Sequence, residues 1–202
     1  AFILKTFIAK NKMSSPSEFI LASGSSRRRD LLKQDGWQFR IVVSDVEEHE
    51  NGVPPKQLVT LNAQLKAKAV AELHPNALVL GSDTTVALGD TILNKPANLD
   101  EAREMLRKLS GQTHQVHTAF VIIHKSGGVE ELQIISNKVR FKPLAESAIL
   151  DVVGDPVDVL VGLEHPVANV GDLHIPTRHG LIDDWRVGAP AVRVVVGVAV
   201  VA

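Results

Sequence analysis

Two short stretches near the N-terminus and the middle of this chain place charged and hydroxyl side chains where they could act on a phosphate group. The first contains Ser23, Ser25, Arg27 and Arg28. Hydroxyl and guanidinium groups donate hydrogen bonds to phosphate oxygens, and a guanidinium does so through a planar fork. An apolar run precedes Ser23 and a Leu pair follows the arginines, so the cluster lies where a predicted helix begins and its N–H groups are unpaired. This pattern predicts an anion-binding loop, although a solvated basic helical turn has the same sequence.

The second stretch, GSDTT, places Asp83 and Thr84 after an apolar run, and Lys95 follows within NKP. A carboxylate at the carboxyl end of a buried strand is a usual position for a metal ligand or a general base, but a lone Asp there can also cap a turn. A third stretch, SDVEEHE, is acidic. In it Glu47 or Glu48 could hold a hard cation, or both could belong to a solvated loop.

Together these residues offer donors for phosphates and carboxylates for a divalent cation, without a nucleophile that has a partnered base. This combination favours hydrolysis of a phosphoanhydride by water at a metal site. The chain has no GxxxxGK[ST] motif, which excludes a P-loop NTPase. Two alternatives would use the same basic loop. One is a binding protein without catalysis, and the other is a phosphatase that releases orthophosphate.

Composition limits the classes further. The chain has 202 residues, of which 45% are hydrophobic, and a formal net charge of −1. That size suits one domain with two lobes, and that charge gives no general attraction to nucleic acid or to a membrane surface. The absence of Cys excludes disulfides and thiolate ligands. We interpret residues 1–12 as an N-terminal extension or leader, and residues 13–202 as a single two-lobed domain.

Predicted strands and helices alternate along the chain, which indicates an α/β fold. The strands are predicted over 18–23, 38–44, 77–82, 114–123 and 132–141. Helices are predicted over 26–34, with Ser25 or Ser26 as N-cap, over 58–73, and after Asn98, where Glu101 completes a capping box. Gly89-Asp90 predicts a hairpin turn, and the final VRVVVGVAVVA predicts one strand or a strand pair.

Two histidines in THQVHT invite a metal site, but their spacing argues against it. His114 and His117 are three residues apart on a predicted strand, so their side chains lie on opposite faces. We therefore predict structural roles for both.

Four segments in order, LASGSSRRRDLL, VLGSDTTV, NKP and EAREMLRKLSGQTHQVHT, resemble the signatures of the Maf family of nucleoside triphosphate pyrophosphatases. The resemblance extends over about residues 18–145. It implies a two-lobed α/β fold with an extended mixed sheet and a central cleft, similar to that of the inosine triphosphate pyrophosphatases. It also implies hydrolysis of a nucleoside triphosphate to the monophosphate and pyrophosphate, dependence on Mg²⁺ or Mn²⁺, and a cytoplasmic homodimer.

The resemblance also implies residue roles. Asp83 matches the proton acceptor, and Glu48 matches an acid that, with Asp83, would hold the metal; Asp83 could equally act on the water through another bound water. Thr84 matches a position tied to selection of the base. The substrate-binding positions implied in this chain are Ser23, Ser25, Arg27, Arg28, Lys66, Thr84 and Lys95.

The resemblance weakens in the C-terminal third. Pro176 stands where a specificity-setting Gln or Glu is expected, so Thr177 or Arg178 would have to supply any polar contact to the base. Thr84 favours dTTP or UTP as substrate, and 7-methyl-GTP or another modified nucleotide is the alternative within the family.

Overall fold

A computed structural model of the protein describes residues 18–150 and the backbone of three later strands, Ile182–Arg186, Val192–Val195 and Val198–Val201. The interpretation of residues 1–12 as an extension and the base-selecting segment around Pro176 lie outside the described residues. The division into two lobes therefore stays a prediction.

A seven-stranded mixed sheet organises the described residues, as predicted. Its strands are β1 (Phe19–Ala22), β2 (Arg40–Ile41), β3 (Leu78–Leu88), β4 (Thr91–Leu93), β5 (Thr113–His124), β6 (Val129–Phe141) and β7 (Ile182–Arg186). Their order is β2-β1-β3-β5-β6-β7, and β4 also pairs with β3. β1 is parallel to β2 and β3, whereas the other pairs are antiparallel. The Val-rich end forms the predicted strand pair, β8 (Val192–Val195) and β9 (Val198–Val201).

Local signals place the helices well. The helices are α1 (Ser26–Gln34), α2 (Pro55–Leu73), α3 (Leu99–Leu109) and α4 (Glu146–Leu150). Ser25 is the N-cap of α1, since its hydroxyl accepts a hydrogen bond from the N–H of Arg28. Asn98 caps α3 by accepting from the N–H of Glu101 at 2.9 Å. The Glu101 carboxylate reaches one residue beyond a standard capping box and accepts from the N–H of Ala97.

Several predicted boundaries are wrong, some of them for a tertiary reason. The strand predicted over 38–44 has only two residues, since its pairing with β1 is limited to Ile20 and Leu21. The strand predicted over 77–82 continues to Leu88, because β5 pairs with it almost throughout and carries it into the hairpin at Gly89-Asp90. Asp83 therefore lies inside β3 and not at the carboxyl end of a strand, where the sequence predicted it. α2 begins at Pro55, a residue suited to the first turn of a helix, rather than at residue 58.

Helices cover both faces of the sheet and so position the site. Ile20, Val79 and Val121 form one apolar cluster with α2 residues such as Val59 and Ala67. The opposite face buries another cluster against α1, through Leu21, Leu80, Phe120 and Leu32. Within residues 18–150, none of the helices has the length and apolar character that crossing a membrane requires.

α2 lies unusually close to β3 at Gly81. A Cβ atom at this position would lie 2.6 Å from the Cβ of Ala67 and 2.8 Å from the carbonyl oxygen of Ala63. Only glycine therefore permits this approach of helix to strand, and the approach brings the polar middle of β3 within reach of α2 side chains.

Candidate active site

The site lies where one edge of β3 loses its strand partners. β5 pairs with one edge of β3, so β1 and β4 share the other. β1 ends at Ala22 opposite Gly81, and β4 ends at Leu93 opposite Val86. Residues 82–85 have no partner on this edge among the described strands, and Ser23 enters the gap directly after β1. Such crevices beyond strand ends are where open α/β sheets bind ligands.

Two carboxylates and a lysine meet on the α2 side of this gap. Lys66 of α2 places its Nζ atom 2.8 Å from Asp83 Oδ1 and 2.6 Å from Glu48 Oε2. The side chains of Lys66 and Asp83 are only 12% and 13% exposed, whereas that of Glu48 is 47% exposed. Lys66 therefore compensates two negative charges, one shielded on the sheet and one on a loop.

Arg28 of α1 joins the predicted anion-binding loop, Ser23–Arg28, to β3. Its Nη1 donates to Ser23 Oγ at 2.8 Å and its Nη2 donates to Thr84 Oγ1 at 3.3 Å. Thr84 Oγ1 also lies 3.1 Å from Oγ1 of Thr118, its cross-strand partner on β5. These contacts place the guanidinium group at the carboxyl end of β1 in a defined orientation.

The charge of Arg28 is held in a largely dry environment. The residue is 8% exposed. Burial lowers the pKa of its guanidinium below the ordinary value, and the negative charges of Asp83 and Glu48 oppose that shift. Because an arginine pKa is so high, the group stays a cation. Its field therefore reaches both carboxylates, although they belong to a different hydrogen-bonded set.

The remaining loop residues surround this arrangement. Ser25 donates its N–H to Ser23 Oγ at 3.3 Å, while its own hydroxyl caps α1. Arg27 is half-buried in the first turn of α1, next to Arg28. Ser25 thus orders the loop in two ways: its N–H bonds Ser23, and its hydroxyl caps the helix.

Lys95 lies apart from these contacts. It is exposed after β4 and makes no hydrogen bond or ion pair within residues 18–150. Its neighbour Asn94 donates to the carbonyl oxygen of Glu50 at 3.3 Å, which brings this segment beside the loop that carries Glu48. Six of the predicted positions thus form two adjoining sets. The Arg28 set consists of Ser23, Arg28 and Thr84. The Lys66 set consists of Lys66, Asp83 and Glu48.

A family model described as Maf-like protein matches residues 18–162. The chain belongs to the Maf family. A dTTP/UTP pyrophosphatase of Desulforamulus reducens is 43% identical over 164 residues, covering 80% of this chain and 85% of that protein. One from Bacillus mycoides is 41% identical over 159 residues, covering 78% of each chain. One from Akkermansia muciniphila is 47% identical over 131 residues, covering 64% of this chain and 68% of the relative.

Among solved structures, the Ham1 protein of Staphylococcus aureus resembles this Maf protein weakly. The two chains are 16% identical, with 64% of this chain and 73% of the other covered and a TM-score of 0.43. At that score the likeness supports no conclusion about function, and the α/β fold rests on the sheet and helices described above.

The structure adds two residues to the site of this Maf protein that the sequence patterns did not single out. Asn62 is buried, lies one helical turn before Lys66, and contacts both Asp83 and the backbone of His49. Thr118 is buried on β5 and contacts Thr84. The only sequence signal for Asn62 is a polar residue on the apolar face of a helix, and Thr118 has none.

The two histidines of β5 have separate structural surroundings. His117 Nδ1 lies 2.8 Å from Ser136 Oγ, and the ring of His114 packs edge-on against Phe141 with centroids 5.0 Å apart. Burial lowers the pKa of His114 to about 4, and burial followed by the charge of Lys56 lowers the pKa of His117. Both rings are therefore neutral parts of the packing at neutral pH.

Proposed function

We propose that this Maf protein hydrolyses nucleoside triphosphates to nucleoside monophosphates and pyrophosphate. The observation that carries the proposal is the adjacency of two sets at one gap in the sheet. A buried cation, Arg28, lies at the end of β1 with Ser23, and an ionic group formed by Asp83, Lys66 and Glu48 lies next to it. The relatives named dTTP/UTP pyrophosphatase support the same reaction.

The proposed roles follow from donor type and charge. Arg28 and the Ser23–Arg28 loop bind phosphate oxygens, because their donors converge where β1 ends. Lys66 holds Asp83 in one orientation through a contact of 2.8 Å. Asp83 then accepts a proton from the water that attacks the phosphorus. Positioning and charge compensation supply most of the catalysis in phosphoryl chemistry of this kind.

We further propose that a divalent cation, Mg²⁺ or Mn²⁺, binds together with the substrate. Within residues 18–150 no group of three or more His, Cys, Asp or Glu side chains is arranged to hold a metal. Mg²⁺ commonly takes one or two carboxylates and completes its shell with water and substrate phosphates. Glu48 and Asp83, on either side of Lys66 Nζ, fit that donor set. The cation would neutralise phosphate charge that the side chains alone leave uncompensated.

For the substrate we propose a pyrimidine nucleoside triphosphate, dTTP or UTP. Thr84 supports this choice, because it adjoins Asp83 and its hydroxyl lies within hydrogen-bond distance of Arg28 and Thr118. A hydroxyl held between two partners has a restricted orientation, which suits recognition of a polar edge of a base.

A panel of nucleotides tests the proposal. Purified protein is incubated with dTTP, UTP, CTP and 7-methyl-GTP, with Mg²⁺, with Mn²⁺ or with EDTA, and pyrophosphate and orthophosphate are measured separately. We expect pyrophosphate, the highest kcat/KM for dTTP or UTP, and no turnover in EDTA. Orthophosphate as the sole product would indicate a phosphatase, and binding without turnover would indicate a regulator. A clear preference for 7-methyl-GTP would overturn the pyrimidine assignment alone.

A further inference from the structure

Glu48 lies on a segment that has no helix or strand of its own. Residues 42–54 connect β2 to α2 without regular secondary structure. The Glu48 side chain is about half exposed, so burial does not hold it in place. A carboxylate on such a loop needs other contacts to stay opposite Asp83, because each unrestrained residue retains conformational entropy that opposes a single position.

Asn62 supplies contacts of the required kind. Its Oδ1 accepts a hydrogen bond from the N–H of His49 at 2.8 Å, and its Nδ2 donates to the carbonyl oxygen of the same residue at 2.9 Å. Both backbone groups of one loop residue are therefore bonded to one side chain, as they would be by a neighbouring strand. This two-point contact defines the orientation of the backbone at residue 49 as well as its position.

The same amide also reaches the sheet. Nδ2 lies 3.5 Å from Asp83 Oδ2, on the opposite oxygen from the one that Lys66 contacts. An amide nitrogen has two hydrogens, so one can bond His49 while the other faces Asp83. Asn62 is 3% exposed, which means that water does not compete strongly for these contacts.

The contacts of Asn62 with the backbone of His49 lie one residue away from Glu48. Asn62 and Lys66 are four residues apart on α2, so they lie on the same helix face. Asn62 holds the backbone of His49, while Lys66 contacts the side chain of the preceding residue, Glu48, at 2.6 Å. α2 thus holds the loop by its main chain and by its carboxylate at two neighbouring points.

We propose that Asn62 is a positioning residue for the reaction, and this inference rests on the proposed pyrophosphatase function. By bonding the backbone of His49 and facing Asp83, it holds the loop so that Glu48 and Asp83 both stay in contact with Lys66 Nζ. Asn62 itself is not expected to touch the nucleotide. Its loss should therefore disturb the arrangement of the carboxylates and leave the Arg28 set intact.

The test uses Asn62→Leu with Gln64→Leu as its matched control. Leu has the same branched arrangement of side-chain heavy atoms as Asn, with two methyl groups in place of the amide oxygen and nitrogen, and fills the buried position without polar groups. Gln64 carries the same amide on the same helix and makes no hydrogen bond within residues 18–150. For each protein we would measure hydrogen exchange of peptides that cover residues 44–54, kcat and KM for dTTP, and dTTP binding in EDTA. Thermal melting shows whether each variant folds.

For Asn62→Leu we expect faster exchange in the peptides of residues 44–54 and unchanged exchange in β3 and β5. We expect kcat to fall about ten- to a hundredfold, the usual cost of losing a group that orients a carboxylate at such a site. dTTP binding in EDTA should stay within about twofold of the wild type, because that binding depends on the Arg28 set. Gln64→Leu should match the wild type in every measurement.

A second variant, Asn62→Asp, keeps the test decisive if Asn62→Leu does not fold. Asp retains the acceptor for the N–H of His49 but loses the donor to its carbonyl oxygen, and it adds a carboxylate beside Asp83. We expect partial retention of exchange protection in the loop and a clear loss of kcat.

The inference is overturned if the wild type is active and a folded Asn62 variant shows wild-type loop exchange, or if exchange rises while kcat stays the same. Equal loss of kcat and of metal-free dTTP binding would also overturn it, since that result indicates general disruption of the site. A wild type that releases no pyrophosphate would overturn the proposed function, and the catalytic role of Asn62 with it.

Discussion

Lys66 Nζ lies 2.8 Å from Asp83 Oδ1, and this contact joins α2 to the middle of β3 at the centre of the site. Both side chains are mostly shielded from water, so each charge depends strongly on the other. Glu48 contacts the same ammonium group from the loop. The lysine is thus the common partner of two carboxylates that would otherwise repel each other.

Replacement of Asp83 by Asn tests its role as proton acceptor. The change keeps the shape of the side chain and removes its charge and basicity. We expect kcat to fall by about 10²- to 10⁴-fold, the usual contribution of general base catalysis, while dTTP still binds. Steady-state kinetics and equilibrium binding check this. Asp90→Asn, an exposed Asp at the tip of the β3–β4 turn, is the control, and a kcat for Asp83→Asn within a few-fold of wild type would refute the assignment.

Arg28→Ala should weaken binding of the triphosphate far more than binding of the monophosphate. A charge-assisted hydrogen bond contributes roughly 1.5–3 kcal/mol, which corresponds to a loss of about ten- to a hundredfold. Calorimetric binding of dTTP and dTMP to the same protein measures the difference. The exposed neighbour Arg29, which pairs with Asp30, is replaced as the control. Equal weakening of both nucleotides would point to general electrostatic attraction instead.

Gly81→Ala should reduce both stability and turnover. The added Cβ would lie 2.6 Å from Ala67 Cβ, so α2 must move away from β3 and carry Lys66 with it. Overpacking of this kind costs about 1–3 kcal/mol in free energy of unfolding. Denaturant titration and kcat measure the two effects.

Ala67→Gly provides a sharp check on that explanation. It removes the nearest atom, but the backbone N of residue 67 and the carbonyl oxygen of Ala63 would still lie 2.7 and 2.8 Å from the new Cβ. We therefore expect the double variant Gly81→Ala/Ala67→Gly to remain destabilised. Full recovery of stability would show that the backbone approach is not what requires glycine.

His114 should make the protein less stable in mild acid. Burial lowers its folded pKa to about 4 from an ordinary value of 6.5, so between these values the unfolded chain binds a proton that the folded protein excludes. Stability from this group is complete above pH 6.5 and is lost as the pH falls towards 4, by up to about 3 kcal/mol.

Urea titrations of His114→Leu against wild type, from pH 7.5 to 4.5, measure that contribution. Nδ1 of His114 is buried without a hydrogen-bond partner in the described part of the chain, so an apolar replacement leaves no lost bond. We expect the variant to lose less stability than wild type on acidification. Parallel curves for His114→Leu and the wild type would contradict the prediction.

Features that depend on a few adjacent residues were predictable from the sequence. The bounds of α1, the Asn98 cap of α3 and the Gly89-Asp90 turn all occur where their local signals lie. At Gly89, φ is +60°, a conformation that glycine adopts without strain. Ser23 follows the end of β1 as its residue type and position predicted, whereas Asp83 lies inside β3 and not at its end.

Only the tertiary structure decided how these parts meet. Asn62 is 13 residues from His49, and Thr84 is 34 residues from Thr118, so neither contact has a local signal. The register of β5 against β3 selects Thr118, and the approach of α2 at Gly81 brings Lys66 to Asp83. The sequence by itself indicated most of the charged and hydroxyl groups that meet here, through residue type and family resemblance, but not Asn62 or Thr118. Their distances and partners depend on strand register and helix packing, which arise from contacts between residues far apart in the chain.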